Sequence, residues 1–530
     1  MKKKFYITTP IYYINAKPHI GSAYPTVVAD VLARYHRLLG DDVVFLTGTD
    51  ENSQKNVQAS ITAGEHDVNV YLDRMSAAWQ MTWDTLGISN DDFIRTTEPR
   101  HHQSVVKFFH AVQKSGDIYQ GEYEGFYCIG CEAFITEKEL VAGNCPDHQK
   151  PPVELKEKNY FFRASRYRDQ LIDHITAHPE FIEPTGRRNE VLSYIKTAFG
   201  DVSISRGWKT DENVAGVTVG IPVPGDSAQA LYVWFDALIN YLTGVGYGKA
   251  TQKFAQYWPA DVHIVGKEII KFHCALWPAM LLSAGLPLPK KVFAHGWLTV
   301  DGQKMSKTLG NVVDPLEIVG WLGVDPLRYF LLREFSWGND GDFSHTRLKE
   351  RYQADLANGL GNVSRRILTL GEKMLAHNKL ISADHGHFSC KLPSDHSLCH
   401  QFNDITQDAW LQYHDAFQRY QPDQATQVVW SYIQRLDEHL ERIKPWELKQ
   451  EHTPEQWSKA LYPFLEGLRH LSWMLRPILP MTSERLLRSL GVWMKESKLT
   501  FEKAQIWGTL STKGMDIDRG KVLFARLETK

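Results

Sequence analysis

A chain of 530 residues with 43% hydrophobic and 23% charged residues has ordinary globular composition. That excludes a disordered, collagen-like or disulfide-scaffold protein and leaves room for three to four domains of about 150 residues each. Lys and Arg number 60 against 62 Asp and Glu, so bulk charge points to no nucleic-acid partner, and any such partner must meet local basic patches.

Residues 4–9 predict a short apolar strand, followed by a loop from Pro10 to Pro18. From His19 the apolar positions Ile20, Tyr24, Val27, Val31, Tyr35 and Leu38 recur at helical spacing until Gly40 stops the helix. A second strand at Val43–Leu46 makes a right-handed strand–helix–strand crossover, the opening of a doubly wound α/β domain with a parallel sheet. Between about 116 and 220 the texture changes to short, Gly-punctuated segments that hold a cysteine cluster, an insertion into that domain. The β-like run Leu231-Tyr232-Val233-Trp234, the segment His263–Gly266 and a helix near 269–284 resume the α/β pattern. Beyond about 346 long amphipathic helices follow, one carrying Val428, Tyr432, Leu436, Leu440 and Ile443, another Trp457, Leu461, Phe464, Leu468, Leu471 and Leu475, with Pro463 as a kink. The stretch 383–397 reads as a loop, and 511–530 is too polar to assign. No window holds the roughly 18 uncharged apolar residues of a membrane helix. Pro10, Asn15 and Lys17 break the apolar run that a signal peptide needs after its basic start. A cytoplasmic protein with no membrane contact is expected.

Chemistry is signalled first by Pro18-His19-Ile20-Gly21-Ser22, at a helix N-terminus directly after a strand. Free backbone N–H groups and the helix dipole favour a polyanion there, and an imidazole can donate to a phosphoryl oxygen. Gly21 lets a flat base approach the backbone. The pentapeptide alone also fits a capping His beside a turn Gly. A second signal, about 285 residues on, is Asp301–Gly310, in which Lys304 and Lys307 flank Ser306 between glycines. Such a loop can close over a triphosphate and offset charge on a departing pyrophosphate, and taken alone it also fits a solvated basic turn.

Cys128-x2-Cys131, thirteen residues, then Cys145-x2-His148 form two knuckles able to point at one ion. Three thiolates and one imidazole leave no open position, so one structural Zn2+ is expected. Cys274, Cys390 and Cys399 lack such spacing, and the His and Cys residues of 385–400 read as polar linker. Asp50 follows the second strand at the carboxyl edge of a parallel sheet, where a carboxylate can pair with an ammonium group or cap a helix. Asn362 and Arg366 lie one helical turn apart, and with Trp446 they offer an amide, a guanidinium and an indole to an unpaired base, or simply a solvated face.

The His-Ile-Gly turn and the distant Lys-Met-Ser-Lys-Thr together resemble the two signatures of class I aminoacyl-tRNA synthetases, and within that family the chain looks like the methionyl branch. The likeness runs over most of 5–480 and includes Tyr12-Tyr13-Ile14-Asn15, Tyr232–Ala237, Lys304 through Pro315 and Lys444-Pro445-Trp446. It implies a Rossmann-like catalytic domain in two halves (1–115 and 221–290), a connective insertion with a zinc knuckle (116–220), a signature-loop linker (291–345), an all-α helix-bundle anticodon-binding domain (346–510) and a tail (511–530). It implies a ligase that activates L-methionine with Mg2+-ATP and passes it to the terminal adenosine of tRNA(Met). His19, Lys304 and Lys307 would be catalytic, with Gly21, Ser22 and Ser306 also holding ATP. Asp50 would take the methionine ammonium, and Ile11, Tyr13, Trp234, Ala237, Leu238, Tyr241, Ile269 and His273 would line the thioether pocket. Asn362, Arg366 and Trp446 would read the CAU anticodon. A monomer with no obligate protein partner is expected.

Four positions depart from the family pattern. Ser22 replaces a second His, Asn52-Ser53 stands where His-Gly is commoner, and Glu268 stands where Asp is common. An active enzyme with a rearranged contact network is expected, with a catalytically weak, tRNA-binding regulatory paralogue as the alternative.

Overall fold

The computed structural model describes residues 2–528 except 129–132, 136, 138–139, 147–148, 208–219, 306–309, 382–397, 448–453 and 512–514. Alternation along the strands fixes the layering. In β1 (Lys4–Tyr13), Phe5 and Ile7 enter one apolar core while Tyr6 enters the other, and in β2 (Asp42–Asp50) Phe45 is separated in the same way from Val44 and Leu46. A strand buried on both faces needs cover on both faces, which is the doubly wound arrangement. With β3 (Asp92–Arg95), β4 (Ile182–Glu183), β5 (Val262–Gly266) and β6 (Val292–His295), these strands form one six-stranded parallel sheet in the order β3-β2-β1-β5-β6-β4. Strand order reverses at β1 and β5, which opens a crevice at the carboxyl ends of β1, β2 and β5.

Three elements differ from expectation. β1 runs on to Tyr13 instead of ending at residue 9, and its register with β2 shifts between Thr8 and Ile11, so Pro10, which has no N–H to give, sits in the irregularity. The run 231–234 is not one strand. Asp226–Leu231 joins a small antiparallel sheet with Ser205–Gly207 and Pro222–Val223, and the chain then turns into a short helix. The helix expected near 269–284 is present but irregular: it follows a 3-10 turn (Lys267–Ile269), contains a π turn (Phe272–Leu276) and continues as an α-helix (Trp277–Ser283) in which Pro278 has no N–H to give.

The helices that bear on the site are α1 (Ile20–Leu38), α2 (Gln54–Thr62), α3 (Val233–Ala237), α4 (Val324–Arg333), α5 (Asn362–Ile381) and α6 (Pro422–Ile443). Between the halves of the sheet, Ile118–Cys128 pairs antiparallel with Val153–Phe162, from Ile118 opposite Phe162 to Tyr127 opposite Val153, and ends at Cys128.

The core under α1 continues without a break into the helical bundle, where Leu327, Phe330, Leu360, Tyr413 and Leu468 share it with Val27 and Val31. Arg328 of α4 crosses that junction fully buried, donating to Asp30 Oδ2 of α1 (2.7 Å) and to the carbonyls of Ile478 (3.0 Å) and Pro477 (3.2 Å). Deeper in the bundle Arg469 donates to Glu466 (2.8 and 2.9 Å) and Glu496 (3.2 Å). Burial opposes ionisation of Glu466, but the Arg469 charge and the hydrogen bonds from Arg469 and His470 together outweigh it and hold the carboxyl at about 2, while burial pushes His470 down to about 4. Residues 515–528 lie along the bundle, with Ile517 and Phe524 buried and Tyr352 Oη donating to Ala525 O (2.9 Å).

Candidate active site

His19 is the N-cap of α1, and its ring Nδ1 accepts from Gly21 N (3.1 Å). An accepting Nδ1 leaves the ring proton on Nε2, and burial lowers the imidazole pKa, so the ring is a neutral donor. Ser22 completes the cap: its hydroxyl donates to His19 O (2.8 Å) and accepts from His19 N (3.1 Å). That buried hydroxyl is thus bonded to the backbone of the turn that it shapes.

The distant loop reaches this turn. Ile20 N donates to Val313 O (3.1 Å). A Cβ placed on Gly21 would lie 2.9 Å from Met305 Cε and equally close to the His19 ring. Gly21 is therefore required by two neighbours as well as by any base that approaches. Lys304 rests with Nζ 4.3 Å from the Trp297 ring centroid, and Lys267 Nζ lies 4.1 Å from the same ring. Trp297 is held in turn by Glu268 Oε2, which accepts from Nε1 (2.8 Å), and by Asp340 Oδ1, which accepts from its N–H (2.8 Å). Glu268 thus has a partner of its own. Ser306 and Lys307 lie outside the described residues.

Asp50 ends β2 at the crevice and is buried. The loop after it is pinned: Glu51 accepts from Arg95 Nε (2.8 Å), Thr49 Oγ1 (2.8 Å) and Thr97 Oγ1, and Asn56 Nδ2 donates to Asp50 O (3.0 Å). Ser53 caps α2 by accepting from Lys55 N (3.1 Å). Across the crevice Leu238 and Tyr241 belong to one apolar cluster, with Ile11, Trp234 and Ile269 packed against it and Ala237 buried beside them. Trp234 stacks on Phe272 at 3.9 Å between centroids. His273 donates from Nδ1 to Ile269 O (3.0 Å) and accepts at Nε2 from Tyr241 Oη (2.9 Å), and burial holds its pKa at about 4, so it is neutral. Tyr13 closes this side with Lys55 Nζ 4.8 Å from its ring. The lining is aromatic and apolar with one neutral polar pair, which suits an uncharged, polarizable side chain.

At the bundle, Arg366 pairs with Asp437 (2.9 Å) and Glu441 (2.7 Å), and its guanidinium lies 5.1 Å from the ring centroid of exposed Trp446. Asn362 is exposed one turn earlier on α5. Cys128 and Cys145 are buried together against Leu140, while Cys131 and His148 lie outside the described residues. Among the described residues no group of three metal-ligating side chains gathers, and no helix is long and apolar enough to cross a membrane.

Sequence reasoning missed Trp297 and Lys267, and it gave no role to Asp236, which accepts from Asn52 Nδ2 (3.1 Å). These contacts join segments 29 to 184 residues apart, and nothing local marks them.

The sequence matches the family described as tRNA synthetases class I (M) over residues 5–151 and 148–368. A Thermotoga maritima protein named methionine–tRNA ligase is 42% identical over 538 aligned residues, covering 99% of this chain and 81% of the relative. A Nostoc protein of the same name is 39% identical, covering 99% and 98%. Among solved structures, Mycobacterium tuberculosis methionyl-tRNA synthetase bound by methionyl-adenylate superposes with a TM-score of 0.89 at 36% identity, covering 99% of this chain and 100% of that one. On the shared parallel sheet, the two converging motifs and these likenesses over almost its full length, the chain belongs to the methionine–tRNA ligase family of class I tRNA synthetases.

Proposed function

We propose that the protein activates L-methionine with Mg2+-ATP to methionyl-adenylate and pyrophosphate, then transfers the methionyl group to the 2′-hydroxyl of the terminal adenosine of tRNA(Met). The observation that carries this reading is the meeting of the His19 turn with Met305 and Val313, which brings the Lys304 loop to the anion-binding end of α1. In the first step the methionine carboxylate attacks the α-phosphorus, and no protein group need bond to it. Alignment and charge stabilisation carry the rate. His19 Nε2–H donates to the phosphoryl oxygens, Lys304 and Lys307 close over the leaving pyrophosphate, and Asp50 takes the ammonium while the Trp234 side of the crevice takes the thioether. Ser22 acts through His19, by holding its backbone. A cytoplasmic location is compatible with charging for protein synthesis.

Asn362, Arg366 and Trp446 are read as the anticodon contacts. Arg366 must exchange its carboxylate partners for a base edge, and the indole beside it supplies the stacking face. The paired burial of Cys128 and Cys145 fits a thiolate zinc site that Cys131 and His148 would complete, and a closed tetrahedron there would brace the far end of the antiparallel pair.

Methionine-dependent exchange of pyrophosphate into ATP tests the reading. Exchange driven better by isoleucine or cysteine, or tRNA binding with no exchange, would refute it, the latter in favour of a silent regulatory paralogue.

A further inference from the structure

Two residues past Asp50, the Asn52 amide spans the crevice. Its Nδ2 donates to Thr96 O (3.2 Å) at the end of β3 and to Asp236 Oδ2 (3.1 Å) on α3. Asp236 is fully buried, two residues after Trp234 and next to Ala237. Its other oxygen, Oδ1, has no hydrogen bond among the described residues. It stands 4.0 Å from His101 Nε2, which has none either. His101 is itself turned by Thr243, whose Oγ1 lies 3.3 Å from its Nδ1.

The two sides of this bond are held by different contacts. On the Asp50 side, Glu51 and Asn56 fix the loop with the contacts described above, and Thr96 Oγ1 accepts from Glu51 N (2.9 Å). On the other side, α3 is a helix of five residues that leads into the thioether wall. The Asn52–Asp236 bond is thus a cross-member between a braced loop and a short helix. If it is cut, Asp236 loses the donor on Oδ2 and keeps only the His101 ring 4.0 Å from Oδ1, so the tie between the loop and α3 is released.

We infer that Asn52 is a positioning residue that sets the length of the methionine site, and with it the rejection of amino acids one methylene longer. The inference rests on the reading that Asp50 holds the ammonium and Trp234 lines the thioether pocket. With one end of the substrate fixed at Asp50, a longer side chain fits only if α3 retreats, and the amide opposes that movement.

The full-length protein with Asn52→Ala, Asn52→His and Asp50→Ala is assayed by pyrophosphate exchange with methionine and with ethionine, alongside a thermal melt. Asn52→Ala is expected to raise KM for methionine about tenfold, leave KM for ATP within about twofold, and lower the methionine-to-ethionine ratio of kcat/KM about fivefold or more. Asn52→His keeps a ring N–H for Asp236 and is expected to return that ratio to within about twofold of the parent. An unchanged methionine KM and ratio, an equal rise in KM for both substrates, or no rescue by histidine would each overturn the inference. If Asn52→Ala does not fold, Asn52→Ser is read against the same ratios. Asp50→Ala with an unchanged methionine KM would instead remove the reading of the site itself, whatever the Asn52 variants do.

Discussion

Replacing His19 removes one hydrogen bond present in the fold and one that the proposed mechanism assigns to the ring, with different consequences. The bond from Gly21 N to Nδ1 (3.1 Å) caps α1, and losing it costs about 1 kcal/mol of stability. In the proposed mechanism the Nε2–H acts on the phosphoryl group, and losing one preorganised donor of that kind costs about 3 kcal/mol of transition-state stabilisation, about a hundredfold in rate. His19→Ala should lose both. His19→Asn keeps a cap acceptor in Oδ1 but carries its donor on a shorter side chain, so it should melt like the parent and still lose most of the rate. Rapid-quench measurement of adenylate formation, with thermal melts of the same samples, distinguishes the two terms. A His19→Ala rate within twofold of the parent, or full activity in His19→Asn, would refute the assignment of the donor. The pH profile adds a check. Burial keeps the folded ring below the ordinary value of 6.5, so the neutral donor persists above that pH, and any acid limb due to His19 must lie below it.

Gly21→Ala would set a methyl 2.9 Å from Met305 Cε and the His19 ring, and adenylate formation should fall about tenfold or more with a smaller change in melting temperature. Arg366→Ala should lower charging of tRNA(Met) about tenfold or more in an aminoacylation assay while leaving pyrophosphate exchange within about twofold, because the residue lies in the bundle. Acid should weaken the fold in two ranges, read as urea midpoints from pH 7 to pH 3. His273 and His470, held at about 4 against 6.5 when unfolded, are stabilising above 6.5 and lose that contribution as pH falls toward 4. Glu466, held at about 2 against 4.5, keeps its contribution above 4.5 and loses it below. Native mass spectrometry should find one zinc per chain, lost together with stability in Cys145→Ala.

What could be read from sequence was local. The His19 turn, Asp50 at a strand end and the periodic helices of the bundle each carry their signal within about twenty residues. Pro10 signals the end of β1 in the sequence, and only pairing with β2 shows the chain passing through it. The apolar run at 231–234 is too short to choose between strand and helix, and the choice is made by burial of Val233 and Phe235 against the rest of the domain. The polar tail has no period because backbone and side-chain bonds to Tyr352, Gln353, Glu372 and Arg485 hold it. Ser22, Asn52, Ser53 and Glu268 look like losses against a family pattern, yet each has a partner in this fold: a closed cap, a cross-crevice amide, a second cap and an indole.

Arg328 has a mechanical implication. Asp30 lies eleven residues along α1 from the His19 cap, about 16 Å of helix with Pro25 within it. While the guanidinium keeps Asp30 on one side and the carbonyls of Pro477 and Ile478 on the other, a tilt of the bundle turns α1 as well. A lever of that length converts a few degrees of rotation of the bundle into a shift of about an ångström at the imidazole, so the bundle and the cap of α1 share one moving part.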